Sequence, residues 1–186
     1  MVNTAENTKP EALIIVDMSN DFVHDDGSLT AGEPAQKIVP FIVNQADNAL
    51  KNGDYVVIAM DAHLPDDRHF EEWPPHNVIG TWGQKLYGTL GEWYEKHKHH
   101  DRVIYVPKPQ YDAFYNTDLE QILAEFDVKR VKVTGVCTDI CVYLTTAGAY
   151  YRGLKTQVLA QGCATFTENH QSALKQMELC FHTEIV

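Results

Sequence analysis

Three residues, Asp17, Lys108 and Cys141, combine the types needed for amide chemistry. A cysteine sulfur attacks a carbonyl carbon, a carboxylate takes the thiol proton and returns it to the leaving amine, and an ammonium steadies both negative charges. Cys141 opens a helical pattern directly after the apolar run Val131-Lys132-Val133-Thr134-Gly135-Val136. Thr138 and Asp139 are N-cap types, so the helix dipole is expected to favour the thiolate there. Taken alone, the segment leaves two readings open: a buried cysteine packing as a small hydrophobe, or a nucleophile. The backbone N–H groups of Cys137 and Cys141 would serve as oxyanion donors if the turn is unusual, with a cis peptide between Val136 and Cys137 as one way to make it so.

A second cluster follows another apolar run. In Met60-Asp61-Ala62-His63 alternate residues share one side of an extended chain, so Asp61 and His63 can grip one ion. His69, Glu71, Glu72 and His76 follow, and the Pro74-Pro75 pair stiffens the approach of His76. Two histidines with carboxylates suit Zn²⁺, Fe²⁺ or Mn²⁺. Phe22, Trp73 and Tyr111 lie beside these groups and can either wall an aromatic pocket or pack as core. The run His97-Lys98-His99-His100 has irregular spacing and reads as a solvated helix end.

The elements that must position these groups alternate along the chain. Apolar runs at 12–18, 55–60, 102–106, 131–136, 156–160 and 183–186 read as strands. Helical spacing occupies 35–51, 86–98, 117–126, 140–152 and 168–180. This alternation predicts an α/β fold: a three-layer α/β/α sandwich on a mostly parallel six-stranded sheet, with residues 1–186 as one domain. Ligands in such folds bind beyond the carboxyl ends of the strands, where Asp17, Lys108 and Cys141 all fall. The irregular stretch from Leu64 to about Lys85 is long enough to expect a functional loop.

Composition narrows the class further. A net charge of −11 over 186 residues argues against a nucleic-acid partner. No segment nears the ~20 consecutive apolar residues of a membrane span, and the N-terminus lacks a signal-like apolar stretch, so a cytoplasmic protein is expected. The four cysteines, at 137, 141, 163 and 180, lack both C-x-x-C spacing and the density of a disulfide scaffold, which suits reduced thiols.

Four segments in this order resemble the nicotinamidases of the isochorismatase-like cysteine hydrolase superfamily. They are Asp17-Met18-Ser19-Asn20-Asp21-Phe22; Asp61-Ala62-His63 with Trp73-Pro74-Pro75-His76; Lys108 with Tyr111-Asp112-Ala113-Phe114; and Thr134-Gly135-Val136-Cys137-Thr138-Asp139-Ile140-Cys141-Val142. The resemblance implies hydrolysis of nicotinamide, and of pyrazinamide-like amides, to the acid and ammonia in NAD salvage. It implies a triad of Asp17, Lys108 and Cys141, and a thioester on the cysteine. It further implies metal ligation by Asp61, His63 and His76, with zinc first among the candidate ions, and ring contacts from Phe22, Trp73 and Tyr111. Some relatives add a glutamate in a His-x-Glu context, which places Glu71, ahead of Glu72, in the ligand set. The resemblance also implies homo-oligomers. A family amidohydrolase acting on another small amide is the alternative, and a non-catalytic metal- or redox-binding protein on the same scaffold is a second.

Overall fold

In a computed structural model that describes residues 9–186, six strands form one sheet. They are β1 (Ala12–Val16), β2 (Tyr55–Asp61), β3 (Val103–Lys108), β4 (Arg130–Val136), β5 (Lys155–Ala164) and β6 (Glu184–Ile185). Their order is β3-β2-β1-β4-β5-β6 and every pairing is parallel. The expected layered α/β architecture is therefore what the chain forms.

Period-two alternation explains how both faces are covered. A short helix, α1 (Asn20–Val23), follows β1 and is capped by the Ser19 hydroxyl. Sequence periodicity missed it because four residues are too few to show a period. Leu13 and Ile15 of β1 pack with Ile38 and Ile42 on one side, from helix α2 (Glu33–Asn52). That layer also takes in Leu90 and Trp93 of α3 (Gly88–His97). Ala12, Ile14 and Val16 face the opposite layer. It is built from α4 (Leu119–Glu125), α5 (Cys141–Tyr151) and α6 (His170–Phe181).

The strand order reverses between β1 and β4, which opens a crevice at their carboxyl ends. Close approach of the two strands requires a glycine. Gly135 pairs with Val16 at φ 119°, and a Cβ there would clash with the Val16 carbonyl oxygen. The strand expected at 156–160 runs on to Ala164, because β5 carries an irregularity: Val133 pairs with Val158 but Gly135 with Cys163. The Thr134 hydroxyl donates to the Gly162 carbonyl, 2.6 Å away, within the displaced stretch. The long loop after β2 contains a 3₁₀ turn, Arg68–Glu71, and folds back so that His63 and Val78 form a β-bridge. The Asp21 carboxylate ties it down by accepting from the Asn77 N–H at 2.7 Å.

Candidate active site

Asp17 leaves β1 in the left-handed region at φ 55°, a conformation that aspartate tolerates better than most residues. Its carboxylate thereby turns across the sheet ends, where Oδ1 accepts the Asp61 backbone N–H at 2.8 Å. Lys108, the last residue of β3, is fully buried. Its Nζ lies 2.7 Å from Asp17 Oδ2, contacts Asp61 Oδ1, and donates to the Gln110 carbonyl at 3.2 Å. The Asp17 contact is close but off the hydrogen-bond direction, so Oδ2 is left without a bonded donor among the described residues. Cys141, the first residue of α5, presents its sulfur to the same spot. The ligand atoms of Asp17, Asp61 and Cys141 all fall within 4.8 Å of one another.

One buried ammonium among two carboxylates and a thiol sets the protonation pattern. Burial and the neighbouring Asp61 charge push the Asp17 carboxyl up to about 6, against the pull of Lys108. Burial works against the Lys108 ammonium too, but the two carboxylates outweigh it and hold the lysine above its ordinary range. Burial also drives the Cys141 thiol well above its usual value, with Lys108 pulling it back and Asp17 pushing it further. That runs against the expectation of a favoured thiolate: at this buried helix start, loss of water opposes ionisation of the sulfur more strongly than Lys108 favours it. Nor do Thr138 and Asp139 cap the helix, since Ile140 occupies the cap position without a side-chain bond.

Val136–Cys137 is a cis peptide. Around it the N–H groups of Ile140 and Val142 both donate to the Cys137 carbonyl at 3.1 Å, and Thr138 N–H donates to Ala164 at 2.9 Å. None of these bonds uses the N–H of Cys137 or Cys141. Burial raises the Cys137 thiol to about 12, which makes its sulfur a poor nucleophile.

Beside Asp61, the ring nitrogens of His63, His69 and His76 gather within 4.8 Å of one another. His63 and His69 stack at 4.9 Å between ring centres, with planes 4° apart. The His63 Nδ1 lies 2.9 Å from Asp67 Oδ2, and the His76 Nδ1 lies 2.7 Å from the Pro74 carbonyl. Both partners can only accept, so each Nδ1 carries the proton and each Nε2 keeps a free lone pair. The two Nε2 atoms each stand 3.8 Å from Asp61 Oδ2. Among the described residues His63 Nε2 has no hydrogen-bond partner although it is buried, a costly arrangement for a nitrogen that nothing engages. Three imidazoles and a carboxylate oxygen, two of the rings fixed by second bonds, are a donor set that fits a divalent metal ion.

Glu71 does not join them, and this corrects the ligand set expected from sequence. In the 3₁₀ turn its side chain faces solvent, 71% exposed, 3.7 Å from Arg68. The same turn points His69 inward, so the residue two positions earlier takes the place assigned to Glu71. The His-x-Glu pattern left either end available, and only the handedness of the turn separates them. Asp67 is a residue that sequence reasoning missed. One oxygen holds His63 and the other accepts the His69 N–H at 2.9 Å; two adjacent aspartates in a polar loop gave no signal of that.

Phe22, Trp73 and Tyr111 line one small cavity together with Cys141, His69 and His76. Its volume is about 40 Å³. Trp73 Nε1 donates to the Tyr111 hydroxyl at 3.0 Å, locking the two rings, and Phe22 tilts against His76 at 5.3 Å. Phe166, also unsignalled in the sequence, completes the mouth. It arrives there because β5 runs beyond its irregularity.

Residues 11–185 match the isochorismatase domain model. An isochorismatase family protein of Bacillus subtilis (strain 168), PncA, is 46% identical over 168 residues, covering 88% of this chain and 92% of that protein. The crystal structure of a nicotinamidase/pyrazinamidase from Bacillus subtilis superposes with a TM-score of 0.93 at 40% identity, covering 95% of this chain and 99% of the other. The pyrazinamidase of Pyrococcus horikoshii in complex with zinc gives 0.83 at 28%, covering 95% and 98%. With the domain match spanning nearly its whole length and a strand-end site of this composition, the chain belongs to the isochorismatase family.

Proposed function

We propose that this protein is a nicotinamidase, hydrolysing nicotinamide to nicotinate and ammonia through a thioester on Cys141. The observation that carries the reading is the single Lys108 ammonium joining Asp17 to Asp61, with Cys141 in reach of both carboxylates and three histidines alongside. The structural relatives named nicotinamidase/pyrazinamidase support it.

Asp17, rather than a preformed thiolate, starts the reaction. Its carboxylate takes the Cys141 proton as the sulfur attacks the carboxamide carbon. The N–H groups of Cys137 and Cys141 receive the oxyanion. Asp17 then gives that proton to the departing nitrogen, the carbon–nitrogen bond breaks, and ammonia leaves a Cys141 thioester. Water attacks the thioester carbon, losing a proton to Asp17. The acid is released, and Asp17 returns the proton to the Cys141 sulfur. Lys108 stays charged throughout, offsetting whichever of its neighbours is anionic. Trp73, Tyr111 and Phe22 flank the ring. His63, His69, His76 and Asp61 would hold a divalent ion, with Zn²⁺ the leading candidate, and the bound ion supplies a Lewis-acid contact that orients the pyridine nitrogen. Homo-oligomeric assembly and a cytoplasmic location belong to the same reading.

The test is ammonia release from nicotinamide and pyrazinamide, run beside a Cys141→Ala control. Release that exceeds the control for both amides is expected. Equal release from the two proteins overturns the assignment, and activity confined to unrelated amides moves it to another substrate of the family.

A further inference from the structure

The segment after β5 carries an arrangement that the amidase chemistry does not use. Asp139, two residues before Cys141, spends both carboxylate oxygens on it. Oδ1 accepts the Thr165 hydroxyl and Oδ2 the Thr167 hydroxyl, each at 2.6 Å. The residue between the two threonines is Phe166, whose ring lines the cavity that holds Cys141. Further bonds stiffen the segment. Thr167 N–H donates to the Thr165 hydroxyl at 3.3 Å, and Asn169 N–H to the Thr167 hydroxyl at 3.0 Å. On the other side, the Thr138 hydroxyl meets His170 Nδ1 at 2.8 Å. The turn preceding the nucleophile and the loop bearing Phe166 are thus one hydrogen-bonded unit.

An exposed phenylalanine alone means little. Here a large apolar ring is left 51% exposed at the mouth of a cavity, and the two residues flanking it are clamped by one carboxylate. A loop fixed so firmly forgoes conformational freedom, which makes sense where the position of the ring matters. Phe22 packs on His76, Tyr111 on His69 and Trp73 on Tyr111, so those three rings stand by the histidines, whereas Phe166 shares the cavity lining with Cys137, Ile140 and Cys141 and makes none of these ring contacts.

We propose that Phe166 is the outer wall of the substrate slot and a specificity-determining residue, limiting access to Cys141 to small flat aromatic amides. Asp139 is its positioning residue, acting through Thr165 and Thr167. The inference rests on the amidase reading for its substrate class, but the gate itself is a property of access to the Cys141 sulfur.

Two measurements on the full-length protein separate the gate from that reading. The first compares kcat and KM for nicotinamide and 5-methylnicotinamide in the parent, Phe166→Ala and Asp139→Asn proteins. In Phe166→Ala the kcat/KM for the methylated ring relative to nicotinamide rises about tenfold, the scale on which one pocket methyl discriminates, and the loss on nicotinamide falls mainly on KM. Asp139→Asn shifts the same ratio in the same direction by a smaller factor. A purely structural role would lower both substrates alike. The second measures modification of Cys141 by iodoacetamide and by bulky N-ethylmaleimide, read by peptide mass spectrometry. Opening the gate raises the maleimide rate relative to iodoacetamide by about tenfold or more, within the same range of steric discrimination. That result in a protein inactive on nicotinamide upholds the gate and sinks the nicotinamide assignment. Unchanged alkylation and substrate ratios in Phe166→Ala overturn the gate, whatever the activity. Phe166 is half exposed, so its truncation leaves the core intact; Thr167→Val offers a second way to loosen the clamp without touching the ring.

Discussion

Lys108 Nζ lies 2.7 Å from Asp17 Oδ2 inside a pocket where neither side chain reaches solvent. Because the same ammonium also contacts Asp61, one cation serves two carboxylates that belong to different parts of the site. Both carboxylates lie within reach of the sulfur, and Asp61 also faces His63 and His76. Burial of charge on this scale is tolerated only when every member is paired, so the three residues rise and fall together.

Lys108→Met should therefore cost both stability and activity. It strands two carboxylates in a dry site, which destabilises by about 3 to 5 kcal/mol in urea unfolding. Ammonia release should fall by at least about 1,000-fold, the scale seen when a residue acting as part of a unit is removed. The double variant Lys108→Met/Asp17→Asn should regain part of the stability and none of the activity. Full stability in the single variant would show that the carboxylates find other partners.

The ligand geometry separates His69 from Glu71. His69→Ala should lower Zn²⁺ affinity by more than about 100-fold, beyond what loss of a second-layer contact produces. Glu71→Ala should leave it unchanged, because that side chain faces solvent. Metal content after gel filtration and a competition titration with a chromophoric chelator decide between them. A metal-free Glu71→Ala protein would restore the ligand assignment that the 3₁₀ turn overturns.

Asp67 holds His63 by its ring and His69 by its backbone, so it would act on a bound ion without touching it. Asp67→Asn should weaken Zn²⁺ binding by about 10- to 100-fold, the usual effect of losing a carboxylate behind a ligating histidine. Isothermal titration on the metal-stripped protein reads this directly. Equal affinity in the variant would mean that the Asp67 contact does not orient His63.

What was legible in sequence and what was not follows from chain separation. Apolar runs announced all six strands, and their carboxyl ends placed Asp17, Lys108 and Cys141 in one crevice, because parallel α/β topology converges those ends by rule. The errors came where geometry depends on a return of the chain. His69 and Glu71 differ by two positions in an irregular loop, and only the coiling of Arg68–Glu71 shows which points inward. Phe166 was invisible because Gln161 and Gly162 interrupt the apolar run of β5, which ended the expected strand before the stretch that carries the ring to the site. Helix-dipole reasoning counts local peptides and not the loss of water around the sulfur, which pushes the Cys141 thiol up.

Asp139 should make the fold sensitive to acid. Partial burial works to raise its carboxyl, but the Thr165 and Thr167 hydroxyls outweigh that and hold it below the usual aspartate range. A depressed folded-state pKa contributes stability above the unfolded carboxylate value, and that contribution is lost as pH falls through the folded value. Asp139→Asn should thus be destabilised by about 1.5 to 3 kcal/mol at pH 7, the span for hydrogen bonds to a charged group. The gap to the parent should close towards pH 3. Melting temperatures at the two pH values read the effect; a gap independent of pH would assign the loss to packing instead.

The sharpest test of how the crevice is built lies at Gly135. Two effects oppose any side chain there: φ of 119° lies outside the regions open to L-residues, and a Cβ would press on the backbone of Val16. Strained backbone alone is measured by Gly153, which has φ 72° but, among the described residues, nothing within 4 Å of the place a Cβ would take. Gly153→Ala should cost about 1 to 2 kcal/mol, the penalty of a left-handed alanine. Gly135→Ala adds a collision with the strand that ends in Asp17, and since β1 and β4 must move apart to relieve it, the loss should exceed about 4 kcal/mol. Because Asp17 and Cys141 sit just beyond those two strands, any folded remainder should also be impaired in ammonia release more than its folded fraction explains. Urea unfolding of the two variants side by side settles the matter: equal losses would mean that β1 and β4 can separate freely at Gly135, and that their close approach does not set the spacing of the site.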